Sequence, residues 1–357
     1  MKNWKWIGLS LASTALLAAC GNGGSTADSS AEASSEKSSQ LTVSTFAIGE
    51  DVIRSDVFAP FEEENGITIV AEVGNSSERF TKFQNNPNNS IDVIELSQAN
   101  ATSGVTEDLF EPLDATKVPN IANLIDSAKE LTEDGSGPAY TVNSIGIIYD
   151  EAAAGMTIDE WSDLWDPSLA GKISIPDITT TFGPAMIYVA SDFKGTDITT
   201  DNGTAAFEAL TELKPNIVKT YTKSSDLANM FQSGEIVAAV VGDFAYPIIS
   251  GSNPDVQYVV PESGTYANFN TLNVNKNSEN KELAYAYINW KLSKELQEVT
   301  AISLNEAPTN KEVVLDEATA MNKTYGAVAE RAKAIDFAFV NENYEAWIAE
   351  WNKTLNQ

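Results

Sequence analysis

Hydroxyls, one carboxylate and a Gly-Pro pair crowd the stretch SIPDITTTFGPA at 174–185. A short apolar run ends in Asp177, then Thr179, Thr180 and Thr181 follow, and Gly183-Pro184 closes the segment. Two chemistries fit these residues. A threonine-rich turn can satisfy its own backbone, because short hydroxyl side chains bond the nearby main chain. The same groups at the start of a helix can instead form one polar wall of a ligand cleft, with Asp177 as its charged end. Pro184 suits the first turn of a helix, with Gly183 or Thr181 as the cap, so the spacing predicts a helix beginning there. One hydroxyl is enough for a cap, and the surplus favours the cleft wall.

The missing residue types are equally informative. The chain of 357 residues has no histidine and one cysteine, Cys20. Ser-His-Asp and Cys-His nucleophile pairs, His/Cys zinc sites and an intrachain disulfide are all excluded. No GxxxxGK[ST], GxGxxG or GxSxG motif occurs. DITTDNGTAAFE at 197–208 imitates a calcium loop, but its glycine falls seventh instead of sixth and Thr199 stands where an acid is needed. No enzyme, metal or cofactor is therefore expected. Acidic residues number 51 against 22 basic ones, a net charge of −29. Such a surface repels nucleic acid and anionic lipid and says nothing about a pocket. Asp243, at the end of a β-branched run, reads equally as a pocket carboxylate or a helix cap.

These residues need elements to hold them. LTVSTFA (41–47), ITIVAEV (67–73), IDVIEL (91–96), IGIIYD (145–150), KISIP (172–176), IVAAVVG (236–242) and VQYVVP (256–261) read as strands. Helices are predicted at 51–66 ending on Gly66, at 76–83 with a serine N-cap, and at 158–165. Others follow Pro184 and span 279–293, 317–334 and 341–355. The alternation implies an α/β fold with mostly parallel sheets. In open α/β sheets ligands sit beyond the carboxyl ends of strands. The strand-exit loops are Phe46 to Glu50, Gly74 to Ser77, Ser97-Gln98, Asp177 to Gly183 and Gly242 to Phe244. Trp161/Trp165 and Trp347/Trp351 are spaced i,i+4 and, like Trp290, are expected in the core. Phe46, Tyr140, Phe182, Phe244, Tyr246 and Tyr266 lie near predicted cleft loops, available for stacking.

The first twenty residues set the compartment. Lys2 and Lys5 precede an apolar run from Trp6 to Leu17, and Leu17-Ala18-Ala19-Cys20 closes it. This is a signal-peptide layout, and the cysteine at the cleavage point marks a lipoprotein, with Cys20 the lipidated residue. Residues 21–40 contain no large apolar side chain, so they read as a disordered tether of about 25 Å. A globular body is expected on the extracellular face of the cell membrane, or facing the periplasm if the cell has an outer membrane.

Several segments together resemble the spermidine/putrescine-binding group of ABC-importer solute-binding lipoproteins. They are FEEENGITI (61–69), DLFEPLDATKVPNIANL (108–124), NSIGIIYDEA (143–152), WSDLWDPSLAGKISIPD (161–177), MFQSGEIVAAVVGDFAY (230–246), KNSENKELAYAYINWKLSKELQ (276–297) and APTNKEV (307–313). The resemblance implies a two-lobed type II periplasmic-binding-protein fold with a ligand cleft between the lobes. One lobe would comprise 41–141 plus about 270–315, the other 142–269 plus about 316–357. It implies a monomer, no catalysis, and a permease and ATPase as membrane partners. Relatives in this group hold amines with carboxylates and aromatics. Laid on this chain, Asp177 matches one carboxylate, whereas Thr180, Asn268 and Asn270 fall where acids or an aromatic are expected. Phe46 and Ser97 are kept, and Glu306 replaces a tyrosine. The resemblance thus implies a small polar organic solute held by Phe46, Ser76, Ser77, Ser97, Tyr140, Asp177, Thr179, Thr180, Thr181, Asp243, Asn268, Asn270 and Glu306. A polyamine or related amine and a zwitterionic or anionic solute both stay open, as does a non-transport surface sensor or adhesion module.

Overall fold

The computed structural model describes residues 40–355; the signal segment, Cys20 and residues 21–39 of the expected tether lie outside the described residues, and Gln40, expected to close the tether, opens the first strand. Of eleven strands among the described residues, two of them only two residues long, nine carry the architecture: β1 (Gln40–Thr45), β2 (Thr68–Val73), β3 (Val93–Ser97), β4 (Ala139–Asp150), β5 (Ile173–Pro176), β6 (Ile217–Tyr221), β7 (Ala238–Gly242), β8 (Val256–Val259) and β9 (Thr265–Val274). Their main order is β2-β1-β3-β9-β4-β7-β5-β6, with β8 also on β4.

The expected mostly parallel arrangement is corrected at the centre. β1 runs parallel to β2 and β3, and β7-β5-β6 are parallel among themselves, but β3-β9, β9-β4 and β4-β7 are antiparallel. β4 and β9 are long enough to pair with both parallel sets. β4 meets β9 through residues 139–144 and β7 through 145–149. The direction reversal points the carboxyl ends of β1 and β3 one way and those of β5 and β7 the other. Both sets therefore end at the middle of β4.

Two principal hydrophobic cores flank that middle. One gathers Leu41, Val43, Phe58, Phe61, Ile69, Val93, Leu272 and Ile288. The other gathers Ile145, Ile147, Ile175, Met186, Ile187, Leu210, Trp347 and Trp351. Strands such as β3, β4 and β7 are buried along nearly their whole length, which is why they read as continuous apolar runs.

The helices that follow the strands are α1 (50–65), α2 (Ser76–Asn85), α3 (Gln98–Thr106), α4 (Gly183–Phe193), α5 (Thr204–Leu213), α6 (Lys281–Lys291) and α7 (Phe337–Leu355). α1 ends where expected, on Gly66 at φ 64°. The serine N-cap is corrected: Ser76 is already helical and Asn75 precedes it in extended conformation. Trp161–Trp165 is a short 3₁₀ segment, not a full α-helix; Trp161 is buried and Trp165 stacks on Phe193 at 4.0 Å. The helix expected over 317–334 breaks into two single turns and a short strand, Ala332–Lys333, on β9. Asn322 and Gly326 adopt positive φ there, which a continuous helix cannot accommodate. Trp347 and Trp351 lie in α7 and fill the second core.

Candidate functional site

Strand register fixes where the exit loops meet. Ser97 at the end of β3 faces Asn270, and Asn270 faces Thr141 on β4. Gly242 at the end of β7 faces Ile145, four residues further along the same strand. At roughly 3.3 Å per strand residue, the two sets of exits open toward each other over about 13 Å. That span suits a small organic solute.

On the side of β1–β3, the starts of α2 and α3 converge. The Ser97 backbone N–H donates to Ser76 Oγ at 2.9 Å. The Ser76, Ser97 and Ser77 hydroxyls lie 2.7, 3.2 and 3.4 Å from Asn100 Oδ1. Asn268, fully buried, accepts from the Gln98 N–H (3.2 Å) and donates to Asn143 (3.1 Å) and Asn270 (2.9 Å). This amide ladder satisfies polar groups that would otherwise be costly to bury. Phe46, half-buried after β1, has the Arg79 guanidinium 4.8 Å from its ring centroid. Arg79 is 3 % exposed, donates to the Gly74 and Ser44 carbonyls, and keeps Nη2 unpartnered. Burial draws its pKa down to about 10, against the pull of Glu95.

On the side of β5–β7, the 177–183 turn stands at the rim. Thr179 donates through N–H and Oγ1 to Asp177 Oδ1 (3.0 and 2.6 Å), and Thr180 Oγ1 donates to the Asp177 carbonyl (2.7 Å). The second DITT sequence, at 197–200, repeats the same three bonds at 2.9, 2.8 and 2.7 Å. Local sequence alone therefore dictates this turn. What distinguishes the 177 copy is its surroundings. Ser77 Oγ donates to the Thr179 carbonyl from the opposite side (3.2 Å), and Tyr344 Oη to the Ile178 carbonyl (3.1 Å). Thr181 is half-buried beside them. α4 starts at Gly183, not Pro184, after Phe182, and no side chain caps it. A Cβ on Gly183 would lie 2.3 Å from Ile178 Cα, so the turn closes tightly on glycine.

Asp243 sits at the β7 exit, 2 % exposed. Thr324 donates to its Oδ2 through N–H (2.8 Å) and Oγ1 (2.6 Å), while Oδ1 finds no partner. Asn305 Nδ2 donates to the Asp243 carbonyl from the first core's side (2.9 Å). Burial pushes the Asp243 carboxyl up to about 7, partly opposed by the Thr324 bonds and by the Phe244 and Ser144 backbone N–H groups, which approach the carboxylate without completing a bond to Oδ1. Lys323 lies within electrostatic reach but forms no ion pair with it; burial lowers the lysine's pKa. Asp243 does not act as a helix cap: it is the first residue of the short turn that follows Gly242, and its carboxylate binds Thr324.

Tyr140 and Glu306 go elsewhere. Tyr140, 3 % exposed, belongs to the first core and donates to Glu95 Oε2 (3.1 Å), with Lys291 Nζ 3.9 Å from its ring centroid. Thr45 and Tyr287 also donate to Glu95 (2.8 and 3.0 Å), and Lys291 lies 3.6 Å from it. Glu306 reaches this cluster: burial raises its pKa, with Lys291 and Thr300 opposing and Glu95 adding to the rise. Tyr140 is thus held inside the first core by its bond to Glu95. Sequence reasoning missed Asn100, Asn305, Thr324, Arg79 and the Glu95–Lys291 pair. Glu95, a lone acid inside the buried strand IDVIEL, was the signal that a cation must lie opposite.

The family model of bacterial extracellular solute-binding proteins matches residues 56–327. The putrescine-binding periplasmic protein PotF of Escherichia coli K12 is 24 % identical over 270 residues, covering 68 % of this chain and 71 % of that one. A gamma-aminobutyric acid-binding protein of Pseudomonas aeruginosa is 24 % identical over 337 residues, covering 89 % and 94 %. The crystal structure of an ABC transporter from Clostridium perfringens superposes with a TM-score of 0.76 at 55 % identity, covering 88 % of this chain and 99 % of that one.

Proposed function

Since the chain belongs to the bacterial extracellular solute-binding proteins and serves an ABC importer as its solute-binding component, we infer that its cargo is a small organic ammonium compound, a polyamine or related amine. The role is capture and delivery to a membrane permease, not catalysis. Asp243 carries the reading of the cargo. It is a buried carboxylate at a strand exit with one oxygen unpartnered, and an ammonium group is the partner it lacks. The strand exits supply the rest: Asp177 with Thr179 to Thr181 on one rim, Ser76, Ser77 and Ser97 on the other, Asn268 and Asn270 between them, and Phe46 to pack on the alkyl chain. Tyr140 and Glu306 would act from behind this lining.

A zwitterionic solute is the second reading, and Arg79 favours it. Its buried, unpartnered Nη2 beneath Phe46 gives an anionic group a cation to approach. One relative's name, a gamma-aminobutyric acid-binding protein, is of this kind. A thermal-shift screen against putrescine, spermidine, amino acids, opines and phosphonates separates the readings. Saturating ligand at a hundred times its Kd adds about 2.7 kcal/mol. A rise with the amines supports the first reading, and a rise with zwitterions alone replaces it. Stabilisation by none of them overturns both.

The same reading extends to the whole chain. Lobes at 41–141 plus about 270–315 and 142–269 plus about 316–357 would each contain one principal core and close on the solute. A diacylglycerol on Cys20 would anchor a monomer to the outer face of the membrane. Among the described residues no helix is long and apolar enough to cross a membrane.

A further inference from the structure

Away from the strand-exit junction, a cavity of about 480 Å³ opens beside the end of α4. Small-molecule sites commonly occupy roughly 300–1,000 Å³. Its aromatic wall is Tyr188 and Tyr266, with ring centroids 5.1 Å apart and planes tilted by 59°. Asp192, Asp197 and Asp336 line it against the single ammonium of Lys333. Tyr266 Oη and Lys333 Nζ both donate to Asp192 Oδ2 at 2.8 Å, and Lys333 lies 5.3 Å from the Tyr266 ring centroid. The protein's own ammonium therefore already demonstrates the recognition this wall offers: a carboxylate at one end and an aromatic face beside it.

Asp197 and Asp336 have no such cation among the ion pairs of the described residues. The Tyr188 hydroxyl lies within electrostatic reach of both. Tyr188 is 8 % exposed, and its Oη has no hydrogen-bond partner; the Asp336 backbone N–H approaches without completing one. A buried hydroxyl left unmatched costs free energy that a ligand donor or acceptor would recover. Among the described residues no three acidic groups converge closely enough to hold a metal ion. The negative charge is spread over the cavity, which suits an extended organic cation.

We propose that this cavity is a second binding site, for an aliphatic ammonium compound, separate from the strand-exit junction. One ammonium takes Asp197 and Asp336, its N–H reaches Tyr188 Oη, and its alkyl chain lies along Tyr188 and Tyr266. The site does not depend on which solute occupies the junction.

Equilibrium dialysis with radiolabelled cadaverine at low salt tests this. The wild-type protein is compared with Asp197→Asn/Asp336→Asn, with Tyr188→Phe, and with Glu63→Gln/Glu64→Gln as an exposed acidic control. Asparagine can still accept the local backbone bonds from Thr199 and Phe339, so the fold is spared. The expected result is a salt-sensitive class of cadaverine sites that the Asp pair variant weakens about tenfold and the control leaves unchanged. Tyr188→Phe should weaken the same class by a smaller factor. Equal loss in the control assigns the binding to general surface charge and overturns the proposal. So does binding that neither pocket variant alters, or no binding beyond one site that both leave intact.

Discussion

Replacing Asp243 with asparagine should make the protein more stable and its binding weaker. The Asp243 carboxyl moves from a pKa of 3.8 to about 7 on folding, because burial penalises its charge. A group raised in the folded state contributes stability that is full below its unfolded pKa and lost as pH rises through the folded one. At about 1.4 kcal/mol per tenfold change in proton affinity, the ionisation penalty at pH 8 is about 4 kcal/mol. Some 2–3 kcal/mol of it accrues between pH 5 and 8. Asparagine abolishes that slope and can still accept both Thr324 bonds through its oxygen. Its amide N–H₂ takes the place of unpartnered Oδ1, a mismatch costing about 1–2 kcal/mol. The variant should therefore gain about 2 kcal/mol over wild type at pH 8 and no longer lose stability between pH 5 and 8 relative to it. Affinity should move the other way. Losing a charge-assisted partner costs about 1.5–3 kcal/mol, some 10- to 150-fold in Kd for putrescine. Wild-type affinity should also fall about tenfold from pH 8 to pH 6, as Asp243 takes up a proton, while the variant stays flat. Urea unfolding and calorimetric titration at both pH values measure these quantities. A variant less stable at pH 8, with unchanged affinity and pH profile, would refute the assignment.

Two further outcomes follow from buried contacts. Lys291→Met should strand Glu95 inside the first core and cost about 3 kcal/mol, whereas Glu95→Gln/Lys291→Met should cost less, because uncompensated buried charge dominates. Urea midpoints at constant m check this. Gly183→Ala should lose about 1–3 kcal/mol, since its Cβ meets the Asp177 and Ile178 backbone at 2.3–2.4 Å, whereas Gly251→Ala, with open space around it, should stay within about 0.5 kcal/mol.

Seven of the nine strands were readable because apolar runs buried on both faces carry their signal locally, and the exits followed from the rule that ligands lie beyond carboxyl ends; β6, largely exposed, and β9, interrupted by Asn268, Asn270 and Asn273, gave no such run. That logic placed Ser97, Asp177 and Asp243 at the ends of β3, β5 and β7, where the structure has them. It failed where chemistry depends on distant pairing. Lys291 meets Glu95 across 196 positions of chain, and Asn305 reaches Asp243 across 62. No local pattern announces either contact. The two DITT turns make the same point from the other direction: identical local bonds form after β5 and beside the cavity at the end of α4, so only their surroundings separate them. The sequence also overran its helix at 317–334, where Asn322 and Gly326 turn the chain in a way periodicity does not register.

β4 and β9 carry residues of both cores without interruption. Neither half can melt by itself without tearing hydrogen bonds from strands the other half still needs. Heat should therefore take the described body apart in one cooperative step, although it contains two principal cores.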